Sequence, residues 1–428
     1  MSRGLFERAG RGVCAGVVLM VASGGVAAQT EAWTLETTAQ RVLEQAPERR
    51  AAEAEVKARQ GVLRQAGVWP NPTVELGADN SLGKEDGQGG ADLTQFRVSQ
   101  PLPVSGRLDV QRKQADAGLK QAEAEAGQQS LALEYEAARV FHGLQLNRAL
   151  FLLAEQRLQS ADEFQDIGRR REQAGDLSRL ERLRLDVVRE SAKQLIASAE
   201  GEYSESLSDF LTLLNVAEAD PAVAALDHPP ALPDLAGLES HFEANPILSA
   251  ARQRVEAARH GVDVARANRF ADPELWLARE RGFLGGSRQD VTAIGVAVTL
   301  PLWDRGKGHI DTARAAKQKA QFEAEALQRQ IGNRLRLNHL HLAHLIEQAQ
   351  EYRGKVLEPA EEIFQLSRKG FAAGEVEILN LVDAVETYFD ARARYLELLQ
   401  QSWLEAAELR RAAGVSLLAS PSVEGNAQ

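Results

Sequence analysis

The chain has 428 residues, a formal net charge of −11, 26% charged residues and only 5% aromatic ones. Sparse aromatics with abundant Ala, Glu, Gln, Arg and Leu are the composition of long helices rather than of a compact enzyme, and scattered acidic charge offers no basic face for nucleic acid. The single cysteine, Cys14, leaves the rest of the chain without disulfides, thiolate metal ligands or a thiol nucleophile.

The chain opens like a secretory leader. Arg3, Arg8 and Arg11 supply positive charge, Val13 to Val21 a short apolar core, and Val26-Ala27-Ala28 small residues for cleavage before Gln29, so residues 1–28 read as a signal peptide. The core is too short to span a bilayer. Cys14 follows Arg11-Gly12-Val13 and precedes the core, which is not the order of a lipoprotein processing site. Beyond Ala28 no run of 18 apolar residues occurs, so any membrane passage must use strands.

The remainder contains itself twice. Ala46-Pro47 aligns with Asn245-Pro246, Asn71-Pro72 with Asp272-Pro273, Gln100-Pro101-Leu102 with Leu300-Pro301-Leu302, Gly106 with Gly306, and Ala174-Gly175-Asp176 with Ala373-Gly374-Glu375, all 199 to 201 positions apart. The predicted units are residues 29–220 and 235–414, joined by a linker at 221–234 that carries Pro221, Pro229, Pro230 and Pro233; residues 415–428 read as a flexible tail. In each unit a helical stretch comes first, Leu35 to Ala66 and Leu235 to Arg269. A β-hairpin follows, about 72–101 and about 273–301, with alternating strands such as Thr73 to Ala78 and Ile294 to Leu300. The hairpin loops are expected at the Gly-rich stretches Asn80 to Asp92 and Gly282 to Asp290, and Pro101 and Pro301 suit strand ends.

Each hairpin feeds a very long helix, about Gly106 to Gly175 and about Gly306 to Gly374. Some 65 helical residues extend roughly 100 Å. Gly175 and Gly374 suit the turns between antiparallel helices. In the last helix Ile378, Val385, Leu399 and Ala406 recur by heptads beside the row Val382, Phe389, Leu396 and Trp403, the pattern of coiled-coil packing. Arg392 interrupts the first row and is expected to snorkel at a seam edge. Pro359 removes a backbone donor inside the second long helix and should kink it.

Two hairpins give about four strands, too few for a barrel of about eight or more, so the edges require other chains. The two-fold repeat, the Asn-Pro and Asp-Pro strand starts, Ser99-Gln100-Pro101-Leu102 with Gly106-Arg107, and Leu300-Pro301-Leu302-Trp303-Asp304-Arg305-Gly306-Lys307-Gly308 resemble the TolC family, and within it the CzcC-like outer-membrane components of heavy-metal efflux systems. The resemblance covers nearly the whole chain after the leader. It implies a mainly α fold with a membrane β-barrel: a homotrimer whose twelve-stranded barrel sits in outer-membrane lipid and continues as a periplasmic α-helical coiled-coil tunnel. It also implies a passive, non-enzymatic exit duct without cofactor, working with a periplasmic adaptor and an inner-membrane pump of the RND class.

By the same resemblance the segment Gly374 to Ala384 is the periplasmic gate. Two family aspartates there correspond to Asn380 and Asp383; Asp383 matches and Asn380 departs. Glu181 takes a related acidic position in the first unit. Carboxylates repeated around a narrow mouth would attract cations; the plainer alternative is solvated helix charge. The tips at Gly175, Leu177, Ser178 and Gly374 are the expected adaptor-docking points. His341 and His344 can share a helix face and Glu347 lies near, but His339 points elsewhere and His142 stands alone, so no metal site is expected. A non-pore periplasmic scaffold would not explain paired hairpins. A secreted hydrolase lacks HExxH, GxSxG and phosphate-loop motifs. Cargo stays open between metal ions and drugs.

Overall fold

The computed structural model describes residues 32–79, 93–216, 221–284 and 287–419. The predicted leader, the first hairpin loop and the last nine residues lie outside the described residues. The first expected helix is two: α1 (Leu35–Gln45) and α2 (Pro47–Ala66). Ala46 is extended at φ −58°, ψ 122°, because the residue before proline is excluded from the helical region. Pro47 then opens α2, where its missing N–H costs nothing. Asn245-Pro246 repeats the device: the short α5 (Leu235–Ser240) and a 3-10 turn at 242–244 precede α6 (Pro246–Ala267).

The strands β1 (Thr73–Asp79), β2 (Leu93–Pro101), β3 (Glu274–Leu284) and β4 (Ser287–Ala297) form one antiparallel sheet in chain order. The stretch Gly282 to Asp290, expected as a loop, is largely strand, with pairing up to Leu284 and Ser287. Its Asp290 finds partners across the ladder. Asp290 sits opposite Arg281 and accepts from it at 2.7 and 3.1 Å, and from Arg279 at 3.1 Å. At the other end β4 stops at Ala297 rather than at Leu300. The residue that would pair next with Val298 is Pro273, which has no N–H to give.

The register sorts the sheet into two faces. Val74, Leu76, Phe96, Val98, Leu275, Leu277, Ile294 and Val296 occupy paired positions on one face, which carries Arg279, Arg281 and Asp290 only towards the second hairpin turn. The other carries Glu75, Gln95, Arg97, Trp276 and Glu280. There Gln95 Nε2 donates to Glu280 Oε1 at 2.8 Å, and the Arg97 guanidinium lies 4.8 Å from the Trp276 ring centroid. Trp276 can lie flat only because Gly295 faces it: a Cβ there would come within 2.4 Å of the indole. β1 and β4 each keep one unpaired edge among the described residues.

From the sheet runs α3 (Arg107–Ala174), 68 residues long, and α4 (Arg179–Leu214) returns. The second unit runs as α7 (Lys307–Tyr352), a π-helical turn at 353–357 and α8 (Glu358–Ala373), and returns as α9 (Ile378–Ala413). The interruption expected at Pro359 is present. Proline cannot bond to the Lys355 carbonyl and crowds it, and the wider turn accommodates the lost bond. α3 packs on α2 and α6 near the sheet and on α4 and α9 towards the tips. In α9 the heptad residues Ile378, Val385, Phe389, Leu396 and Leu399 are buried, and Arg392 lies with its guanidinium 5.9 Å from the Tyr395 ring centroid.

Midway, the linker is tied in rather than loose. Trp33 and Val223 form a bridge, Leu226 is buried among α9 residues and the π turn, and Gln145 Nε2 donates to the Ala224 carbonyl at 2.6 Å. The start of the expected tail is also held. Buried Glu134 accepts from the Ser416 hydroxyl at 2.8 Å and the Leu417 N–H at 2.5 Å, and Arg410 donates to the Ser416 and Ala419 carbonyls.

His142 sits in this girdle, 3% exposed, stacked on Trp403 at 5.5 Å and bonded through Nδ1 to Gln145 Oε1 at 2.7 Å. Its Nε2 has no partner among the described residues. Burial lowers its pKa from 6.5 to about 4, against the pull of the Gln145 hydrogen bond. A base whose folded pKa is depressed stabilises the fold fully above the unfolded pKa and loses that contribution as pH falls through the folded value. The shift corresponds to about 3 kcal/mol, lost between pH 6.5 and 4. His142→Phe should flatten the pH dependence of urea unfolding in that window; an unchanged slope would contradict the assignment.

Candidate functional site

The two helical hairpins end together in a pair of tips. α3 closes at Gly175 with φ 86°, and α8 at Gly374 with φ 83°. Both are left-handed caps that glycine adopts without penalty. After each cap one apolar side chain turns inward. Leu177, 7% exposed, enters the core of Phe164, Leu185 and Phe371, and Val376 packs on the same cluster. Each finds room beside a glycine. A Cβ at Gly168 would meet Leu185 at 2.3 Å and Leu177 at 3.6 Å, and one at Gly370 would meet Val376 at 2.4 Å. One apolar core therefore joins α3, α4, α8 and α9 at the tip.

The expected tip residues divide. Gly175 and Gly374 make the turns and are exposed. The Leu177 side chain lies inside the chain and shapes the tip from beneath. Ser178 caps α4, taking the Glu181 N–H on its hydroxyl at 3.2 Å while Glu181 Oε2 accepts the Ser178 N–H at 2.8 Å. The Ser178 side chain and backbone hold the Glu181 carboxyl below the usual range. Glu181 thus has a local task in a capping box. Asn380 and Asp383 lie three apart on the exposed side of α9, and Asp383 has no ion pair among the described residues. The single chain does not bring Asp383 and Glu181 into contact.

Three links across the hairpins were not foreseen. Arg157 on α3 reaches Asp390 on α9 at 3.3 Å, Arg368 on α8 reaches Glu163 on α3 at 3.2 Å, and Arg171 donates to the Phe371 carbonyl at 3.2 Å. Arg171 and Phe371 lie four and three residues before the cap glycines Gly175 and Gly374 of their respective units. Beside them Leu180, Leu183 and Val187 of α4 and Leu379 of α9 are exposed along a groove that Arg157 also lines.

The histidines do not converge. His339 Nε2 meets the Pro233 carbonyl at 3.0 Å, His341 pairs with Glu405 at 3.3 Å and His344 with Glu347 at 3.8 Å. Burial raises the Glu405 pKa despite the His341 partner. Among the described residues no three His, Cys, Asp or Glu side chains are placed to hold a metal ion, and no helix is long and apolar enough to cross a membrane.

The sequence profile of the outer membrane efflux proteins matches this chain twice, over residues 38–216 and 238–415. The chain belongs to the outer membrane efflux protein family. As a family member it is placed in the outer membrane with a periplasmic extension, and its double match agrees with the recurrence of helix, hairpin and long helix. It is 26% identical over 377 residues to the cobalt-zinc-cadmium resistance protein CzcC of Cupriavidus metallidurans, covering 85% of this chain and 86% of that one. It is 23% identical over 331 residues to the nickel-cobalt-cadmium resistance protein NccC of Alcaligenes xylosoxydans xylosoxydans, covering 75% and 73%. Among solved structures, CusC shares the fold at a TM-score of 0.74 and 18% identity, covering 89% of this chain and 92% of that one. The outer membrane protein VceC of Vibrio cholerae does so at 0.73 and 20%, covering 89% and 96%. These likenesses place this efflux protein with CzcC-like members of the family.

Proposed function

We propose that three copies of this chain assemble into a passive exit duct for heavy-metal cations. The observation that carries the reading is the sheet: four strands, one apolar and one polar face, and two open edges. Such a sheet leaves backbone donors and acceptors unpaired at both edges, which lipid does not tolerate. Pairing β4 of one copy with β1 of the next satisfies them, and three copies give a closed twelve-stranded wall with its apolar face on lipid and Glu75, Arg97 and Glu280 inside. The long helices of the same copies then line a tunnel below it.

The duct catalyses nothing; an adaptor and an inner-membrane RND pump supply selection and energy. The tips around Gly175, Ser178 and Gly374 are the proposed adaptor seat, and Asp383, with Asn380 and Glu181 nearby on the tips, the proposed acidic gate. The resistance proteins CzcC and NccC support metal cations as cargo. Native mass spectrometry of detergent-extracted protein should find three chains, and a stable monomer would sink the assembly. For cargo, deleting the gene should lower tolerance of cobalt, zinc and cadmium. Unchanged metal tolerance with a fall in dye or drug tolerance would assign the duct to organic compounds instead.

A further inference from the structure

The rim where strands give way to helices gathers exposed rings and unpaired cations. Thr73 pairs with Ser99, Pro101 with Glu274 and Glu274 with Ala297, so the segments before β1 and β3 and after β2 and β4 meet at one level. Large rings stand in the open there: Trp69, Phe270 and Trp303, the last 92% exposed. Three cations share the level without an anionic partner among the described residues: Arg269, whose guanidinium lies 5.5 Å from the Phe270 ring centroid, Arg305 and Lys307. Most other arginines nearby are neutralised. Arg107 is tied to Asp272, and Arg266 pairs with Asp263 at 3.3 Å. Asp304, the acid among the three cations, has its Oδ1 engaged by the Gly306 N–H at 2.9 Å. Counted against Asp304 and Glu274, the three cations leave this ring-studded level with a small positive excess in a chain of net charge −11.

Exposed aromatic rings settle at the headgroup level of a bilayer, and nearby Lys and Arg are drawn to anionic lipid. We propose that this collar is a seat for anionic phospholipid headgroups of the periplasmic leaflet, with Arg269, Arg305 and Lys307 on the phosphates and Trp69, Phe270 and Trp303 at the glycerol level. The inference rests on the outer-membrane duct reading and adds what fixes the depth of the duct. The rings between the cations favour a lipid surface over a soluble anion, which would have no use for them.

The test is flotation of the full-length protein with vesicles of phosphatidylcholine alone and with about one third phosphatidylglycerol. The wild type should partition into the anionic vesicles at least roughly tenfold better at low salt, and high salt should erase the difference. Arg269→Gln, Arg305→Gln and Lys307→Gln together should remove the preference while leaving binding to neutral vesicles intact. Trp303→Ala should weaken binding to both. Binding to neutral vesicles with no gain from anionic lipid, or a preference that survives in the triple variant, overturns the collar alone. Failure to bind either vesicle overturns the duct reading with it.

Discussion

Phe371→Ala should cost the tip about 3–5 kcal/mol and detach the two hairpins from each other. The ring is fully buried, with edge contacts to Phe164 at 6.4 Å and the Arg171 guanidinium 5.1 Å from its centroid. Its carbonyl accepts from the same arginine. Phe371 sits where α3, α4, α8 and α9 share one core, so the cavity opens at the junction and not within one helix. Hydrogen exchange should show faster exchange over the last turns of α3 and α8, with the sheet unchanged. Slow exchange at both tips would mean that the hairpins are held by their own coiled coils and not by this junction.

Gly414→Ala should destabilise the opposite end of α9 by about 2–4 kcal/mol. The residue has φ 78°, and an added Cβ would stand 2.9 Å from the Asn245 Cα, against backbone that cannot swing aside. Asn245 is fully buried and works twice: Oδ1 caps the Ile247 N–H and Nδ2 donates to the Ala412 carbonyl, both at 2.9 Å. Moving it strains the start of α6 and the end of α9 together. Thermal unfolding of Gly414→Ala beside Asn245→Ala should show similar, non-additive losses. Full additivity would show that the glycine acts through its own backbone angle alone.

The repeat, the hairpins, the long helices and the break at Pro359 were legible because each has a local cause. Proline removes a donor, glycine permits a left-handed cap, and apolar residues keep the period of their element. What stayed hidden depends on partners far away in the chain. Gly282 to Asp290 looks like a loop by composition, yet Asp290 finds Arg279 and Arg281 across the ladder and the stretch becomes strand. Leu177 follows a turn glycine and so invites a surface role, but its pocket is made by residues of other helices. Glu181 reads as a free acid until Ser178 is seen to cap the same helix. The links from Arg157 and Arg368 join residues more than 200 positions apart, and an arginine on a charged helix announces no particular partner.

In the proposed duct the same geometry would keep each tip firm while leaving it free to part from its neighbours. Its apolar core lies within one chain. The groove between α4 and α9, with Leu180, Leu183, Val187 and Leu379 exposed, is unfilled within the chain. The exposed Asp383 is available to a pore without a competing ion pair.

Single-channel recording of the purified protein in planar bilayers tests the duct most directly, with the wild type, Asp383→Ala and the tip-loosened pair Arg157→Ala and Arg368→Ala side by side. The account predicts discrete, cation-selective steps, larger in the loosened pair and several-fold less selective in Asp383→Ala. Inserted protein that conducts in none of the three would contradict it.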